Sequence, residues 1–229
     1  MEMEIEEPFP GVFTIEVDAK EVLATRNLTP GLTVYGEQLI YVGGEEYRSW
    51  NPYRSKLAAA VLKGVGWFHL SRGDKVLYLG VASGTTCSHV SDIIGHDGHV
   101  WGIDFSPRPV RDLIDNLAKY RANISPILDD ARSPESYSAL VPRVDVLYSD
   151  VAQPDQADIV TKNAELYLRP GGWAYMVVKS RSVDATRPPK SVYEEQIGIL
   201  EIGGFTVEEV LELDPYQKDH AMVIARFQA

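Results

Sequence analysis

The feature that most restricts the fold is a regular alternation of short apolar strands with segments of helix length after residue 70. The first strand, residues 76–79, runs into a loop of small residues at 80–86 and then into a helix. Further strands are predicted at residues 100–104 and 144–150. This alternation indicates a doubly wound α/β sheet, in which ligands bind at the carboxyl ends of the strands.

The first fifty residues follow a different pattern. Alternating apolar residues and glycine breaks predict a small antiparallel sheet, with strands that include residues 13–17, 32–35 and 38–42. Asn51-Pro52 is the predicted start of a helix. The chain is long enough for one dominant core and a small additional module. We therefore predict a small β domain at residues 1–50 and a larger α/β domain at residues 51–229.

Composition narrows the function classes. Cys87 is the single cysteine, and neither a Cys-x-x-Cys pair nor a His-Glu-x-x-His motif is present, so no disulfide and no metal site are predicted. No apolar run reaches the length of a membrane span and the first residues are acidic, so a cytoplasmic protein without membrane contact is expected. The net charge of −11 opposes nonspecific nucleic-acid binding, since affinity for phosphates depends mainly on cations. An RNA substrate would have to be delivered by partners.

The glycine loop is compatible with several ligands and with a plain tight turn. Gly80 and Gly84 stand four residues apart without a third glycine, so the dinucleotide fingerprint is not matched. The phosphate-binding Gly-Lys-Ser/Thr sequence is also absent. A nicotinamide or triphosphate ligand is therefore disfavoured.

Acidic residues at the ends of successive strands point to an adenosine ligand. Asp104 lies twenty residues after Gly84, where a carboxylate can accept hydrogen bonds from ribose hydroxyls. The alternative is that Asp104 caps the next helix, although Ser106 is better placed to do so. Asp130 and Asp150 follow later strands and complete a row of carboxylates along one edge of the sheet.

Five segments resemble the fibrillarin family: EYRSWNPYRSKLAAAV, LYLGVASGTTCSHVSDIIG, GIDFSPRPVRDL, DVLYSDVAQPDQADI and LDPYQKDHAMV. The resemblance extends over nearly the whole chain and is to the archaeal type, because the tail rich in glycine and arginine of nuclear members is missing. It implies a Rossmann-like S-adenosylmethionine-dependent methyltransferase fold with a mostly parallel seven-stranded sheet. Two positions depart from the family pattern, Asp104 where glutamate is common and Val81 where alanine is usual.

The resemblance also implies an activity and partners. The activity is guide-RNA-directed ribose 2′-O-methylation of rRNA, and possibly of tRNA, within a C/D-box ribonucleoprotein. The implied partners are a Nop-domain scaffold protein, a kink-turn-binding protein, a C/D-box guide RNA and the target RNA. Two alternatives stay open: a non-catalytic scaffold subunit of the particle, and a methyltransferase acting on a small molecule or a protein side chain.

The site residues follow from the same resemblance. The implied catalytic set is Lys56, Asp150, Lys179 and His220. The implied S-adenosylmethionine contacts are Gly80, Ala82, Gly84, Thr85, Thr86, Asp104, Phe105, Asp130, Ala131, Asp150, Val151, Ala152 and Gln153.

Methyl transfer to a ribose hydroxyl requires alignment of the reactants and a base. Lys179 ends an apolar strand at the predicted ligand edge, and we expect it to be that base. It can act only as a neutral amine, which Lys56 favours and Asp150 opposes; the sequence leaves open which effect is larger. We expect Lys56 and Asp150 to orient the cluster and His220 to assist by hydrogen bonding. Without the resemblance, Lys56 and His220 would be taken for an exposed helix residue and an ordinary strand residue.

Cations are concentrated in residues 179–190, which carry four basic side chains and one acidic one, a local net charge of +3. This indicates an RNA-facing rim made of Arg181, Arg187 and Lys190, which Arg54 and Lys218 extend. A mobile, solvated loop is an equally good interpretation.

Overall fold

The computed structural model of the protein describes residues 4–228, so the outermost residues of the two predicted domains, 1–3 and 229, lie outside the described residues. The amino-terminal part forms a five-stranded sheet in the order β1-β2-β3-β5-β4, in which every pair is antiparallel. Its strands are β1 (Ile5–Phe9), β2 (Val12–Val17), β3 (Lys20–Arg26), β4 (Leu39–Val42) and β5 (Glu45–Ser49).

Three details of this sheet differ from the sequence prediction, and the first is strand β1, which was not predicted. The strand predicted at residues 32–35 is wrong, because the Glu37 carboxylate accepts the backbone N–H groups of Val34 and Tyr35 at 2.9 and 2.8 Å and turns the chain. Strand β5 was not predicted, since its sequence EEYRS is mostly polar. Burial of Arg48 within an ion-pair cluster makes that strand possible.

The second sheet has seven strands in the order β11-β12-β10-β9-β6-β7-β8. All neighbouring pairs are parallel except the two that involve β12, which confirms the predicted mostly parallel α/β architecture. The elements are α1 (Lys56–Leu62), β6 (Lys75–Leu79), α2 (Thr85–Ile94), β7 (His99–Asp104), α3 (Pro107–Asn116), β8 (Ile124–Leu128), β9 (Val144–Ser149), α4 (Gln156–Tyr167), β10 (Leu168–Lys179), α5 (Ser180–Val183), α6 (Pro189–Ile202), β11 (Phe205–Glu212) and β12 (His220–Phe227), with 3₁₀ turns at Ala118–Tyr120 and Pro134–Tyr137.

The strand order creates a crevice at the centre of this sheet. From β6 the chain proceeds outward through β7 and β8, whereas β9 returns to the other side of β6 and continues to β10. The connections therefore leave in opposite directions at the carboxyl ends of β6 and β9. Ligands bind at such switch points in open α/β sheets.

Helix α1 begins later than predicted. The Asn51 side chain accepts the N–H of Tyr53 at 2.8 Å and holds this stretch in a turn. Ser55 is the N-cap, and its hydroxyl accepts the N–H of Ala58 at 3.3 Å. Lys56 is therefore the first residue of the helix, at the end nearest the crevice.

Apolar packing covers both faces of the large sheet. Successive side chains of a strand point to opposite faces, so Tyr148 lies in the cluster shared with α1 and α2, and Leu147 lies in the cluster under α4 and α6. The helices on each face thus fix the height at which strands β6 and β9 end.

A buried charge cluster, formed by Glu37, Arg48, Asp92 and Arg121, joins the small sheet to α2. Arg48 Nη1 lies 2.8 Å from Asp92, and Arg121 Nη1 lies 2.7 Å from the same carboxylate. All four side chains are almost completely buried. The two guanidinium and two carboxylate groups compensate each other, which buried charges require.

His89 lies beside this cluster and makes the stability depend on pH. Burial lowers the pKa of His89 well below its ordinary value, and the positive charges of Arg48 and Arg121 lower it further. The unfolded chain takes up a proton at this residue below about pH 6.5, whereas the folded protein does not. Stability is therefore expected to fall as the pH drops from about 7 to about 5, by up to about 1.4 kcal/mol per pH unit from this group.

Urea unfolding of the native protein and of His89→Gln over that pH range measures this contribution. Glutamine does not titrate, so the variant should lose less stability on acidification than the native protein. Equal losses in both proteins would refute the assignment to His89.

Candidate active site

The glycine loop brings the ends of β6 and β9 into contact. Gly80 has a φ of +76°, and a Cβ atom at this position would lie 2.9 Å from the carbonyl oxygen of Asp150. Gly84, with a φ of +92°, precedes α2, and a Cβ there would lie 2.6 Å from Leu113 Cδ1 on α3. Gly80 is thus required by the close approach of two backbones, and Gly84 by its left-handed backbone conformation.

A cavity of about 250 Å³ opens beside this loop. Of the predicted cofactor residues, all except Gly84, Thr85 and Thr86 line it. Three lining residues were not predicted, and they come from β7, the start of α3 and the first turns of α4. The lining residues are Gly80, Ala82, Ile103, Asp104, Phe105, Ser106, Asp130, Ala131, Asp150, Val151, Ala152, Gln153 and Ile159.

Thr86 makes a buried contact behind the loop. Its hydroxyl donates to Ser55 Oγ at 3.0 Å, and Ser55 is the N-cap of α1. This bond ties the start of α2 to the helix that begins with Lys56. Contacts of Thr85 and Thr86 with the cofactor stay predictions.

Asp104 holds the loop from the neighbouring strand. Its Oδ2 accepts the N–H of Ala82 at 2.9 Å, and its Oδ1 accepts the N–H of Ser106 at 2.9 Å. Ser106 occupies the N-cap position of α3, but its side chain makes no capping hydrogen bond, contrary to expectation. Each carboxylate oxygen can accept more than one hydrogen bond, so Asp104 keeps acceptor capacity toward the cavity.

The structure brings three of the four predicted catalytic residues into direct contact. Asp150 Oδ2 lies 3.0 Å from Lys56 Nζ, and Asp150 Oδ1 lies 2.7 Å from Lys179 Nζ. Lys179 Nζ also donates to the Asp150 carbonyl at 2.6 Å. These side chains are only 15 to 18% exposed, so solvent screens their charges less than at the surface.

His220 lies directly opposite Lys179 in the β10–β12 pair. Its Nδ1 is 2.6 Å from the Lys218 carbonyl, and because a carbonyl can only accept, Nδ1 carries the proton. Burial lowers the pKa of His220, and the cations Lys56 and Lys179 lower it further. The ring is therefore neutral near pH 7, with Nε2 as a hydrogen-bond acceptor.

Gln156 is a site residue that sequence reasoning missed. It is completely buried at the start of α4, and its Oε1 accepts the backbone N–H of Lys179 at 3.0 Å. Strand β9 pairs with β10 only as far as Met176 and Ser149, so Gln156 supplies an acceptor beyond the end of β9. A glutamine at the start of a helix carries no sequence signal for this role.

Three cations of the predicted rim form ion pairs with carboxylates. Arg181 lies 3.0 Å from Asp219, Lys190 lies 3.6 Å from Glu212, and Arg187 is paired with Glu195. The local charge count missed these partners because all three carboxylates lie outside residues 179–190. Part of the segment is also helical, as α5. An RNA-facing role of these three cations stays a prediction.

Arg54, the fourth predicted rim residue, is placed differently. Its guanidinium lies 5.5 Å from the centre of the Tyr35 ring, and it forms no ion pair with another residue in 4–228. Its role at RNA likewise stays a prediction.

No group of three His, Cys, Asp or Glu side chains within residues 4–228 is arranged to hold a metal ion. The thiol of Cys87 is completely buried, and burial raises its pKa to about 12, so it is a packing residue. In the same part of the chain, none of the helices has the length and apolar character needed to cross a membrane.

Comparison with known proteins identifies the family. The model of the Fibrillarin family matches residues 3–229. This chain belongs to the fibrillarin family. A relative from Thermococcus onnurineus, named fibrillarin-like rRNA/tRNA 2′-O-methyltransferase, is 54% identical over 219 residues, which are 95% of this chain and 96% of the relative.

Solved fibrillarin structures have the same fold. The Aeropyrum pernix fibrillarin with natively bound S-adenosyl-L-methionine aligns with a TM-score of 0.91 at 50% identity over 98% of each chain. A fibrillarin in complex with Nop5p aligns with a TM-score of 0.86 at 37% identity, over 98% of this chain and all of the other. The predicted S-adenosylmethionine-dependent methyltransferase fold of this fibrillarin-family chain is thereby confirmed.

Proposed function

We propose that this chain is the catalytic subunit of a C/D-box ribonucleoprotein and methylates the ribose 2′-hydroxyl of rRNA and tRNA with S-adenosylmethionine. The observation that carries the proposal is Asp150, which lines the cavity and lies within 3.0 Å of the amino nitrogens of both Lys56 and Lys179. A relative 54% identical bears the name rRNA/tRNA 2′-O-methyltransferase, which supports the assignment.

The cavity fits S-adenosylmethionine by its chemistry. Asp104 and Asp130 offer carboxylate oxygens to ribose hydroxyls and to cationic groups of the ligand. Ile103, Phe105 and Ile159 offer apolar surface to a flat adenine ring. Gly80 lets the end of β6 approach the Asp150 backbone, and both residues line the cavity. When bound, S-adenosylmethionine supplies a methyl group that is attached to a cationic sulfur. The carbon of this methyl group is open to attack by an oxygen nucleophile.

The charged cluster can deprotonate and orient the ribose hydroxyl. The Lys179 amino group donates to the Asp150 carbonyl and lies 2.7 Å from Asp150 Oδ1, and in its neutral form it carries a lone pair that can accept the hydroxyl proton. Lys56, as an ammonium, holds the other carboxylate oxygen. Asp150 thus positions both lysines, and Gln156 positions the backbone of Lys179.

His220 contributes an acceptor next to the base. Its neutral ring presents Nε2, because Nδ1 is engaged by the Lys218 carbonyl. We assign it a hydrogen-bonding role that steadies the hydroxyl or the lysine and not the role of the base.

Delivery of RNA by partners agrees with the charge distribution. The chain carries a net charge of −11, and the loop cations after Lys179 are paired with carboxylates. A fibrillarin has been solved in complex with Nop5p, which supports a Nop-domain scaffold protein as partner of this chain. The kink-turn-binding protein and the C/D-box guide RNA complete the proposed particle and would place the target nucleotide.

Both alternatives have less support. A pure scaffold subunit would not need the paired lysines around Asp150. A protein or small-molecule methyltransferase agrees less well with the relative of 54% identity, which is named an rRNA/tRNA 2′-O-methyltransferase.

The decisive experiment compares two target RNAs in the assembled particle. Transfer of labelled methyl from S-adenosylmethionine is measured with a normal target and with one that carries a 2′-deoxy nucleotide at the target position. We expect labelling of the normal target only, because the deoxy target lacks the acceptor oxygen. Equal labelling of both would exclude ribose methylation, and labelling of protein without RNA would favour the protein-methylating alternative.

A further inference from the structure

The position of Lys56 depends on a very short helix. Helix α1 has seven residues, and Lys56 is the first of them. A helix of about two turns is marginal by itself, because its first hydrogen-bonded turn is costly to form. Burial of residues 57–61 in the core holds the later part of α1. The side chain of Lys56, which reaches Asp150 at 3.0 Å, therefore needs a separate constraint at the first turn.

Ser55 supplies this constraint. It is almost completely buried, and its Oγ accepts the N–H of Ala58 at 3.3 Å, one of the groups that the start of a helix leaves unpaired. Its own N–H donates to the Asn51 carbonyl at 3.0 Å, and its carbonyl accepts the N–H of Ala59 at 3.0 Å. Ser55 is thus bonded both to the turn before α1 and to the first turn of α1.

A further contact joins Ser55 to the end of the glycine loop. The Thr86 hydroxyl donates to Ser55 Oγ at 3.0 Å, and both residues are buried. Thr86 is the second residue of α2, the helix that begins after Gly84. The Ser55 hydroxyl therefore holds the start of α2 and the start of α1 together, directly beside Lys56.

We propose that Ser55 is a positioning residue, which holds Lys56 against Asp150 through the cap of α1 and the bond to Thr86. This inference rests on the proposed function, in which Asp150 positions both lysines. Displacement of an active group by about 1 Å can slow an enzyme about 100-fold, so the support of Lys56 matters for the rate. Through Thr86, the glycine loop and the catalytic cluster share one buried support.

The test is single-turnover methylation of target RNA by the assembled particle at saturating S-adenosylmethionine. Ser55→Ala removes the hydroxyl, and the rate is expected to fall about 3- to 100-fold with unchanged affinity for RNA and cofactor. In a Lys56→Ala background, Ser55→Ala should have no further effect on the rate, because Ser55 acts through Lys56. A merely structural role would give the same loss in both backgrounds.

Two variants of Thr86 test the bond between the helices. Thr86→Val has nearly the same shape but no hydroxyl, and we expect it to lower the rate as Ser55→Ala does. Thr86→Ser keeps the hydroxyl and should retain most of the native rate. This pair also decides the question if Ser55→Ala does not fold.

Ser91→Ala is the matched control. Ser91 lies in α2, is completely buried and donates to Asn123 Oδ1 at 2.8 Å. Its replacement also removes a buried hydroxyl, so urea unfolding should show a loss of stability. The rate of methylation should stay at the native value, because this hydroxyl does not support Lys56.

Three results would overturn the inference. They are a native rate in Ser55→Ala, a native rate in Thr86→Val, and an equal loss from Ser55→Ala with and without Lys56. Failure of the proposed function looks different, because the native particle itself would then label the deoxy target or no RNA at all.

Discussion

Substituting Lys179 by alanine is expected to lower the rate of methyl transfer by about two to four orders of magnitude, the usual contribution of a positioned general base. The amine lies 2.7 Å from Asp150 Oδ1 and 2.6 Å from the Asp150 carbonyl, so its position is fixed by two contacts. Alanine removes the proton acceptor and leaves Asp150 paired with Lys56 alone. Single-turnover methylation of target RNA by the assembled particle measures the effect.

Two further variants separate base catalysis from charge. Lys179→Arg keeps a cation beside Asp150 but cannot serve as a base near neutral pH, so we expect it to be nearly as slow as the alanine variant. Lys119→Ala, which removes an exposed lysine before β8, at the amino ends of the parallel strands, should retain full activity. Cofactor affinity should stay close to the native value in all three. A Lys179→Ala particle with normal turnover would remove Lys179 from the proposed mechanism.

Replacement of Gly80 by alanine is expected to abolish cofactor binding and to destabilise the fold by about 2–5 kcal/mol. Two separate effects add. The φ of +76° is strained for any residue with a side chain, and the new Cβ would lie 2.9 Å from the Asp150 carbonyl oxygen. Relief of this clash requires β6 and β9 to move apart at the crevice. Urea unfolding measures the loss of stability, and calorimetric titration with S-adenosylmethionine measures the loss of cofactor binding.

Gly36→Ala isolates the first effect. Gly36 has a similar φ of +80°, but no atom lies within 4 Å of its hypothetical Cβ. Only the backbone strain of about 1–2 kcal/mol is expected, with cofactor binding intact. If the two alanine variants were destabilised equally, close approach of the backbones would not be the reason for Gly80.

The sequence pattern predicted the parts of the molecule that depend on short-range regularity. Strands β6, β7 and β9 were recognisable because buried parallel strands are short apolar runs, and their carboxyl ends placed Asp104 and Asp150 at one edge. The pairing of Lys56 with Lys179 through Asp150 needed the family resemblance, because 94 residues separate Lys56 from Asp150.

Other features depend on contacts that a local pattern does not contain. Strand β5 is polar in sequence and becomes a strand because Arg48 finds Glu37 and Asp92. Gln156 gains its role only from the point at which β9 ends. The paired cations after Lys179 show the same limit, since their carboxylate partners come from α6, β11 and the β11–β12 connection.

The buried charge cluster also constrains how this sequence can change. Asp92 is shared by Arg48 from the small sheet and by Arg121 from the chain before β8. Loss of Arg48 leaves Glu37 buried without a cation, and loss of Asp92 leaves Arg121 buried without a carboxylate, which is strongly unfavourable. A substitution of Arg48 therefore requires a compensating change at Glu37, and one of Asp92 requires a change at Arg121, so the two positions of each pair are expected to covary among homologues. The small sheet contributes no residue to the cofactor cavity. Its sequence is nevertheless expected to change together with that of α2, the helix that follows the glycine loop.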